Sequence, residues 1–282
     1  MDQILRVAVG QSQVGLDHHA NGREVRRLMR QAADMGAQLV QFPEGAISGY
    51  PSGEGKVRLA GWAVDWAGLK AELEETAALA AELSIWVAAG ANHRLTAPNR
   101  PHNSLYVIDE AGALAARYDK RRLSHTEVTG WYTPGLDPVM FQLGGFCFGL
   151  SLCIEIQFPE LFLDYAARGA DVVLFSSFSE DPMFGVMARA YAAATNCWFA
   201  VSVPAQCSPA MASGVIGPHG RWLARCADDG SSGVVVADLD RNAPHLDVAL
   251  NKAKPWRALA RRGEIYAQTR VDDVRSDARG EF

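Results

Sequence analysis

With 282 residues, 49% of them hydrophobic and 21% charged, the chain can bury a large core and has the make-up of a soluble globular protein. Its net charge of -5 gives no basic footprint for nucleic acid, and no apolar run approaches the ~18 residues needed to span a membrane. The 5 cysteines are odd in number and show no C-x-x-C spacing, which argues against a disulfide framework or a cysteine-held zinc.

From the N-terminus, the residues around Ile4 enter a strand over 4–11 without the apolar stretch of a secretory signal, so a cytoplasmic protein is expected. Val25, Leu28, Met29, Ala32 and Ala33 follow helical spacing, and Gly36 stops that helix. His18 and His19 precede it in a polar stretch. Adjacent residues of a regular element do not face one ligand, so no metal is expected, and no cofactor. A short strand over 39–42 runs out at Glu44, and a loop with Gly45 and Gly49 follows. Residues 69–83 form an alanine-rich helix with Leu69, Leu73, Ala77 and Ala80 on one side, and 85–91 is a buried strand.

The middle of the chain changes character. Strands over 103–109 and 113–118 flank a short turn at Gly112, a hairpin whose second arm ends at Lys120. The next loop holds Glu127, Trp131 and Tyr132. A second hairpin joins 139–142 to 146–152 through Gly144 and Gly145. Its second strand stops at Cys153, and Pro159 opens a helix over 160–168 that Gly169 closes. A strand over 172–175, a helix over 187–195, a strand over 198–203 and a hairpin over 214–225 follow. Such βα alternation interrupted by hairpins predicts an α/β protein with mixed sheets covered by helices.

Three strand ends thus present Glu44, Lys120 and Cys153, in that order. Taken singly, they read as a cap or surface acid, a member of a solvated basic run, and a small buried hydrophobe. With their flanks they resemble the nitrilase superfamily of carbon–nitrogen hydrolases, which uses a Glu-Lys-Cys triad in this order. The matching motifs are Phe42-Pro43-Glu44, Tyr118-Asp119-Lys120-Arg121-Arg122-Leu123, and Leu152-Cys153 with Phe158-Pro159-Glu160 behind it. Segments 102–109, 213–220, 238–241 and 261–266 look like further family landmarks, so the resemblance spans nearly the whole chain. It implies a four-layer α-β-β-α sandwich, a single hydrolase domain over 1–268 with a tail over 269–282, and a homodimer or larger homo-oligomer. The helix over 160–168 adds to that last expectation, because Leu161, Phe162, Leu163 and Tyr165 make an apolar set wider than one core-facing stripe.

The resemblance also implies the chemistry. Cys153 would attack a small-molecule amide, with Glu44 as general base and Lys120 offsetting its charge. The backbone N–H of Ile154, next after the nucleophile, would help hold the oxyanion. Glu127 matches a second glutamate that helps position substrate in many family members. Tyr50, Trp131, Tyr132, Gln157 and Phe178 are expected to wall the cleft. The chain departs from common family patterns at Ile154-Glu155, where Glu155 can still hold the turn through hydrogen bonds. Arg189 and Asn196 read as structural. Gln157 stands where carboxylate-recognising members have arginine, which points to a neutral amide. Nitrile hydrolysis and N-carbamoyl cleavage share the triad and stay open. A thiol redox protein would need a resolving cysteine at motif spacing, and a silent homologue would lack a triad member; neither feature is present.

Overall fold

Side-chain alternation along the strands sets the layers. In the computed structural model, which describes residues 4–51 and 64–280, β1 (Ile4–Gln11) turns Leu5, Val7 and Val9 to one face and Ala8 to the other. β8 (Val172–Ser176) does the same with Val172 and Leu174 against Val173 and Phe175. The first face of each strand enters a core between two sheets, together with Leu39, Leu105, Phe148, Leu150, Trp198 and Leu239. The second faces are covered by helices. α1 (His18–Asp34) and α2 (Trp66–Leu83) cover one sheet with Val25, Leu28, Met29, Leu69 and Leu79. α3 (Pro159–Ala167) and α4 (Met183–Thr195) cover the other with Leu161, Phe162, Phe184 and Ala188. The expected α-β-β-α sandwich results.

Among the described residues each sheet has six strands. The first runs β12-β1-β2-β3-β4-β5, where β2 is Leu39–Gln41, β3 Trp86–His93, β4 His102–Ile108, β5 Leu114–Asp119 and β12 Gly233–Asp240. Its β1, β2 and β3 are parallel. The second runs β11-β10-β9-β8-β7-β6, with β6 Met140–Leu143, β7 Phe146–Leu152, β9 Trp198–Ser202, β10 Gly214–Ile216 and β11 Trp222–Arg225. Here β7, β8 and β9 are parallel. Ligand sites of such sheets lie outside the carboxyl ends of parallel strands. Buried hydroxyls stitch the two sheets together there: Ser176 Oγ donates to the Phe42 carbonyl (2.8 Å) and Ser202 Oγ to the Gly10 carbonyl (2.7 Å).

Several elements differ from the sequence expectation. β12 escaped it, although it pairs with β1 along its whole length, from Ile4 opposite Asp240 to Gln11 opposite Gly233. α4 starts a turn early, at Met183, where the Asp181 carboxylate accepts from the Met183 N–H (2.9 Å). On α3 the apolar set is narrower than expected. Leu161, Phe162 and Tyr165 are buried within the chain, Tyr165 under Gly149 with its hydroxyl on the Leu150 carbonyl (2.6 Å), and Leu163 alone is exposed. Beyond β12, α5 (Lys254–Arg262) is anchored through Lys254 to Asp171 (3.0 Å) and Arg257 to Asn196 (3.0 Å). Among the described residues no helix is long and apolar enough to cross a membrane.

Candidate active site

Glu44 follows β2 in a tight turn, Lys120 follows β5, and Cys153 follows β7. Close backbone approach brings the first of these into place. A Cβ on Gly90 of β3 would lie 2.4 Å from the Pro43 carbonyl and 2.5 Å from the Gly45 nitrogen, so only glycine lets the Glu44 turn settle against that strand. Lys120 is held by its own backbone, which donates to the Asn103 carbonyl (2.9 Å) and accepts from the Gly135 N–H (2.9 Å).

The side chains meet in a sealed cluster. Glu44, Lys120 and Glu127 are all buried. The Lys120 ammonium donates to Glu44 Oε1 (2.8 Å) and to Glu127 Oε1 (2.7 Å). Asn103 Nδ2 also donates to Glu44 Oε1 (2.7 Å), and the Phe178 N–H takes Glu44 Oε2 (2.8 Å). Glu127 Oε1 accepts from the Tyr50 hydroxyl (3.0 Å) and Oε2 from the Ser124 N–H (2.8 Å). Two carboxylates thus share one cation where water cannot help. Burial and the charge of Glu127 push Glu44 above the usual carboxylate range, against the pull of Lys120. Burial also pushes on Glu127, but Lys120, Ser124 and Tyr50 outweigh it and hold that carboxyl below the usual range. Burial disfavours the Lys120 cation, yet the Glu44 and Glu127 carboxylates beside it win and raise it well above an ordinary lysine.

Cys153 is the kink between β7 and a short 3-10 turn, Cys153–Gln157. Its φ of +50° lies in the left-handed region that side chains avoid, a local strain of the kind stored at functional sites. Burial and the negative Glu44 push its thiol up to about 12, with Lys120 and Ser177 pulling back. The thiol is therefore neutral at rest and donates to the Phe178 carbonyl (3.8 Å). The kink is secured by Glu155. Its Oε2 takes the Leu152 N–H (2.8 Å) and its Oε1 takes the Tyr118 hydroxyl (2.6 Å) and the N–H groups of Arg121 (2.8 Å) and Arg122 (3.0 Å). One buried carboxylate ties the lysine loop to the cysteine turn.

The remaining expected site residues divide. Phe178 stacks on Tyr50 (5.2 Å, 19°) and Trp131 meets Tyr50 edge-on (6.1 Å, 85°). Tyr132 is buried, and its hydroxyl has no hydrogen-bond partner among the described residues. Ile154 is the second residue of the 3-10 turn, where first-turn N–H groups lack intrahelical partners. Gln157 is not brought in: it is exposed at the far end of that turn. Asn103 and the Phe178 backbone are the contacts to Glu44 that sequence reasoning did not find, and Ser177, whose hydroxyl lacks another partner among the described residues, lies against the thiol. Arg189 caps the Gly220 carbonyl (3.0 Å) and Asn196 the Pro218 carbonyl (3.2 Å), both structural bonds.

Residues 6–243 match the family model described as carbon-nitrogen hydrolase. The protein belongs to that family, within the nitrilase superfamily. It is accordingly an enzyme, a carbon–nitrogen hydrolase. The chain is 29% identical over 262 residues to human deaminated glutathione amidase, covering 84% of this chain and 77% of that one. It is 24% identical over 301 residues to the chloroplastic omega-amidase of Arabidopsis thaliana, covering 97% and 76%. Among solved structures, an amidase from Nesterenkonia sp. AN1 superposes with a TM-score of 0.75 at 22% identity over 94% of this chain and 97% of that one. That structure shows the acetamide moiety of fluoroacetamide added covalently at the active-site cysteine of the Nesterenkonia enzyme.

Proposed function

We propose that this carbon–nitrogen hydrolase is an amidase acting on a small neutral amide through a thioester on Cys153. The observation that carries the reading is the Lys120 ammonium shared by two buried glutamates beside a buried thiol at a kinked strand end. Neutral as it is, the thiol needs a base at the moment of attack. Glu44 is the better base of the two acids, because its affinity for a proton is raised while that of Glu127 is lowered. As Cys153 Sγ bonds to the amide carbon, its proton passes to Glu44 and the carbonyl electrons move onto oxygen. Lys120 and the Ile154 N–H stabilise that oxyanion. When the carbonyl re-forms, the C–N bond breaks and the departing ammonia or amine takes the proton from Glu44. Water then attacks the thioester with Glu44 again as base, and the thiol leaves with its proton restored.

The preference for a neutral amide rests on what surrounds the thiol. Tyr50, Trp131 and Phe178 form an aromatic stack, and a carboxylate placed against them without a partner would lose several kcal/mol of solvation. Two arginines make contacts outside the triad. Arg121 lies over the Tyr118 and Tyr165 rings and Arg189 on Gly220. Butyramide, bound in another structure of the Nesterenkonia amidase, is a ligand of this neutral kind. The test is an ammonia-release screen across amides, nitriles and N-carbamoyl compounds, with a matched pair of an amide and its α-carboxylate analogue compared by kcat/KM. The neutral amide should lead. A lead for the nitrile, the carbamoyl compound or the carboxylate would replace this reading with that branch. Self-association is part of the proposal. Leu163 on α3 and Met183 and Val186 on α4 are exposed apolar side chains on neighbouring helices, and light scattering at micromolar concentration should give more than a monomer mass.

A further inference from the structure

The starts of α1 and α2 bring together three metal-binding side chains that the triad chemistry does not use. A ring nitrogen of His18, a ring nitrogen of His19 and a carboxylate oxygen of Asp65 all lie within 4.8 Å of one another. We propose that they form a site for a divalent transition-metal ion of the zinc type, clipping α1 to α2. Adjacency of the two histidines argued against this in the sequence. Their rings nevertheless stand 4.2 Å apart at a 43° tilt in the opening turn of α1, and the third group arrives from another helix.

The details favour an ion over ordinary pairing. His18 Nε2 is buried and has no hydrogen-bond partner among the described residues, while Asp65 Oδ2 stands 3.7 Å away, beyond hydrogen-bond reach. A tetrahedral zinc with bonds near 2.0–2.1 Å sets its ligands roughly 3.4 Å apart, close to that spacing. Asp65 caps α2 through Oδ1, on the Gly68 N–H (3.0 Å), and among the described residues Oδ2 has no hydrogen bond within 3.5 Å. Gly68 keeps the gap open: a Cβ there would lie 2.4 Å from His18 Nε2 and 2.5 Å from Asp65 Oδ2. His19 has the support that metal-bound histidines carry. Its Nδ1 pairs with the buried Glu72 carboxylate (2.6 Å), which Arg26 holds in turn (2.7 Å). With the proton on Nδ1, the Nε2 lone pair is free for a metal. Two imidazoles and one carboxylate are a zinc donor set with a fourth position for water.

The experiment is a titration of the chelator-stripped, full-length protein with Zn2+ by calorimetry, repeated with Co2+ as a spectroscopic reporter. One equivalent should bind and raise Tm. His18→Ala and Asp65→Asn should each weaken binding at least ~10-fold and abolish the Tm rise, and Glu72→Gln should weaken it ~10–100-fold through the loss of His19 orientation. Gly68→Ala, which removes no ligand but fills the gap, should also block it, so the outcome does not depend on any one variant folding. The Co2+ spectrum should lack a thiolate charge-transfer band. Binding that survives His18→Ala and Asp65→Asn, a thiolate band marking a cysteine as the ligand, or no binding at 100 equivalents would overturn the proposal.

Discussion

Glu44 and Glu155 are both buried, both lie just past a strand end, and both touch the lysine loop, yet their surroundings are opposite. Glu155 is saturated by neutral donors: three backbone N–H groups, the Tyr118 hydroxyl and the Ser151 hydroxyl (3.3 Å). Such a carboxylate gains nothing from moving and fixes two loops against each other. Glu44 shares its cation with a second carboxylate, so the cluster carries one negative charge too many for its burial. Burial and the Glu127 charge raise the affinity of Glu44 for a proton, which suits it to take the thiol proton at the moment of attack. A buried acid with enough neutral donors is a brace, whereas one in competition for a cation is a proton carrier.

The largest expected effect breaks the carrier side at its target. Cys153→Ala should lower kcat/KM for the amide by at least ~10³-fold while leaving the fold intact by circular dichroism. Normal turnover would remove the thiol from the chemistry. Next comes Lys120→Ala, which leaves two buried carboxylates facing each other. We expect a loss of about 3–5 kcal/mol by urea unfolding, together with activity. An unchanged midpoint would mean that the cluster is solvated.

The brace is tested by Glu155→Gln, which turns one acceptor into a donor aimed at donors. Stability should fall by about 1–3 kcal/mol and kcat with it, while the acid limb of the kcat/KM–pH profile stays in place. Glu127→Gln should do the reverse. Removing the like charge beside Glu44 lowers the Glu44 pKa, so the acid limb should shift to lower pH. The same substitution separates two opposed linkages. Glu127, held below its ordinary value, stabilises the fold above that value and loses this as pH falls through its depressed pKa. Glu44, raised, costs stability as pH climbs from its ordinary value to its raised one. The variant should therefore unfold less steeply in acid than the parent. A limb that moves with Glu155→Gln and not with Glu127→Gln would reverse the two roles.

How much of this was legible in the sequence follows from how local each signal is. Glu44, Lys120 and Cys153 each end a strand inside a recognisable flank, so residues within a few positions announce them. Local patterns alone gave an α/β protein with mixed sheets. The four layers came from the family resemblance, because an apolar run such as 172–175 of β8 does not say which face meets the other sheet and which a helix. Asn103 was not. It stands at the start of β4, where an amide looks like any polar strand residue, and its partner Glu44 is 59 positions away. Glu155 was expected to hold its own turn, as its bonds from Leu152 and Ser151 do, but its tie to the lysine loop was not legible, because those donors come from 118–122. β12 carries a plain Val234-Val235-Val236 run, but its pairing with β1 spans the whole chain. Leu161, Phe162 and Tyr165 misled because the core they enter is assembled from β7, β8 and β9, which no helical wheel contains.

The most direct test is to find the acyl group itself. Rapid acid quench of the enzyme turning over a neutral amide, followed by digestion and mass spectrometry, should place the acyl mass on the peptide that contains Cys153, and hydroxylamine should remove it as expected of a thioester. Glu44→Gln, with its base lost, should slow the appearance of that adduct. Steady ammonia release with no acyl mass on Cys153, or with the label on Cys147, Cys197, Cys207 or Cys226, would contradict the account.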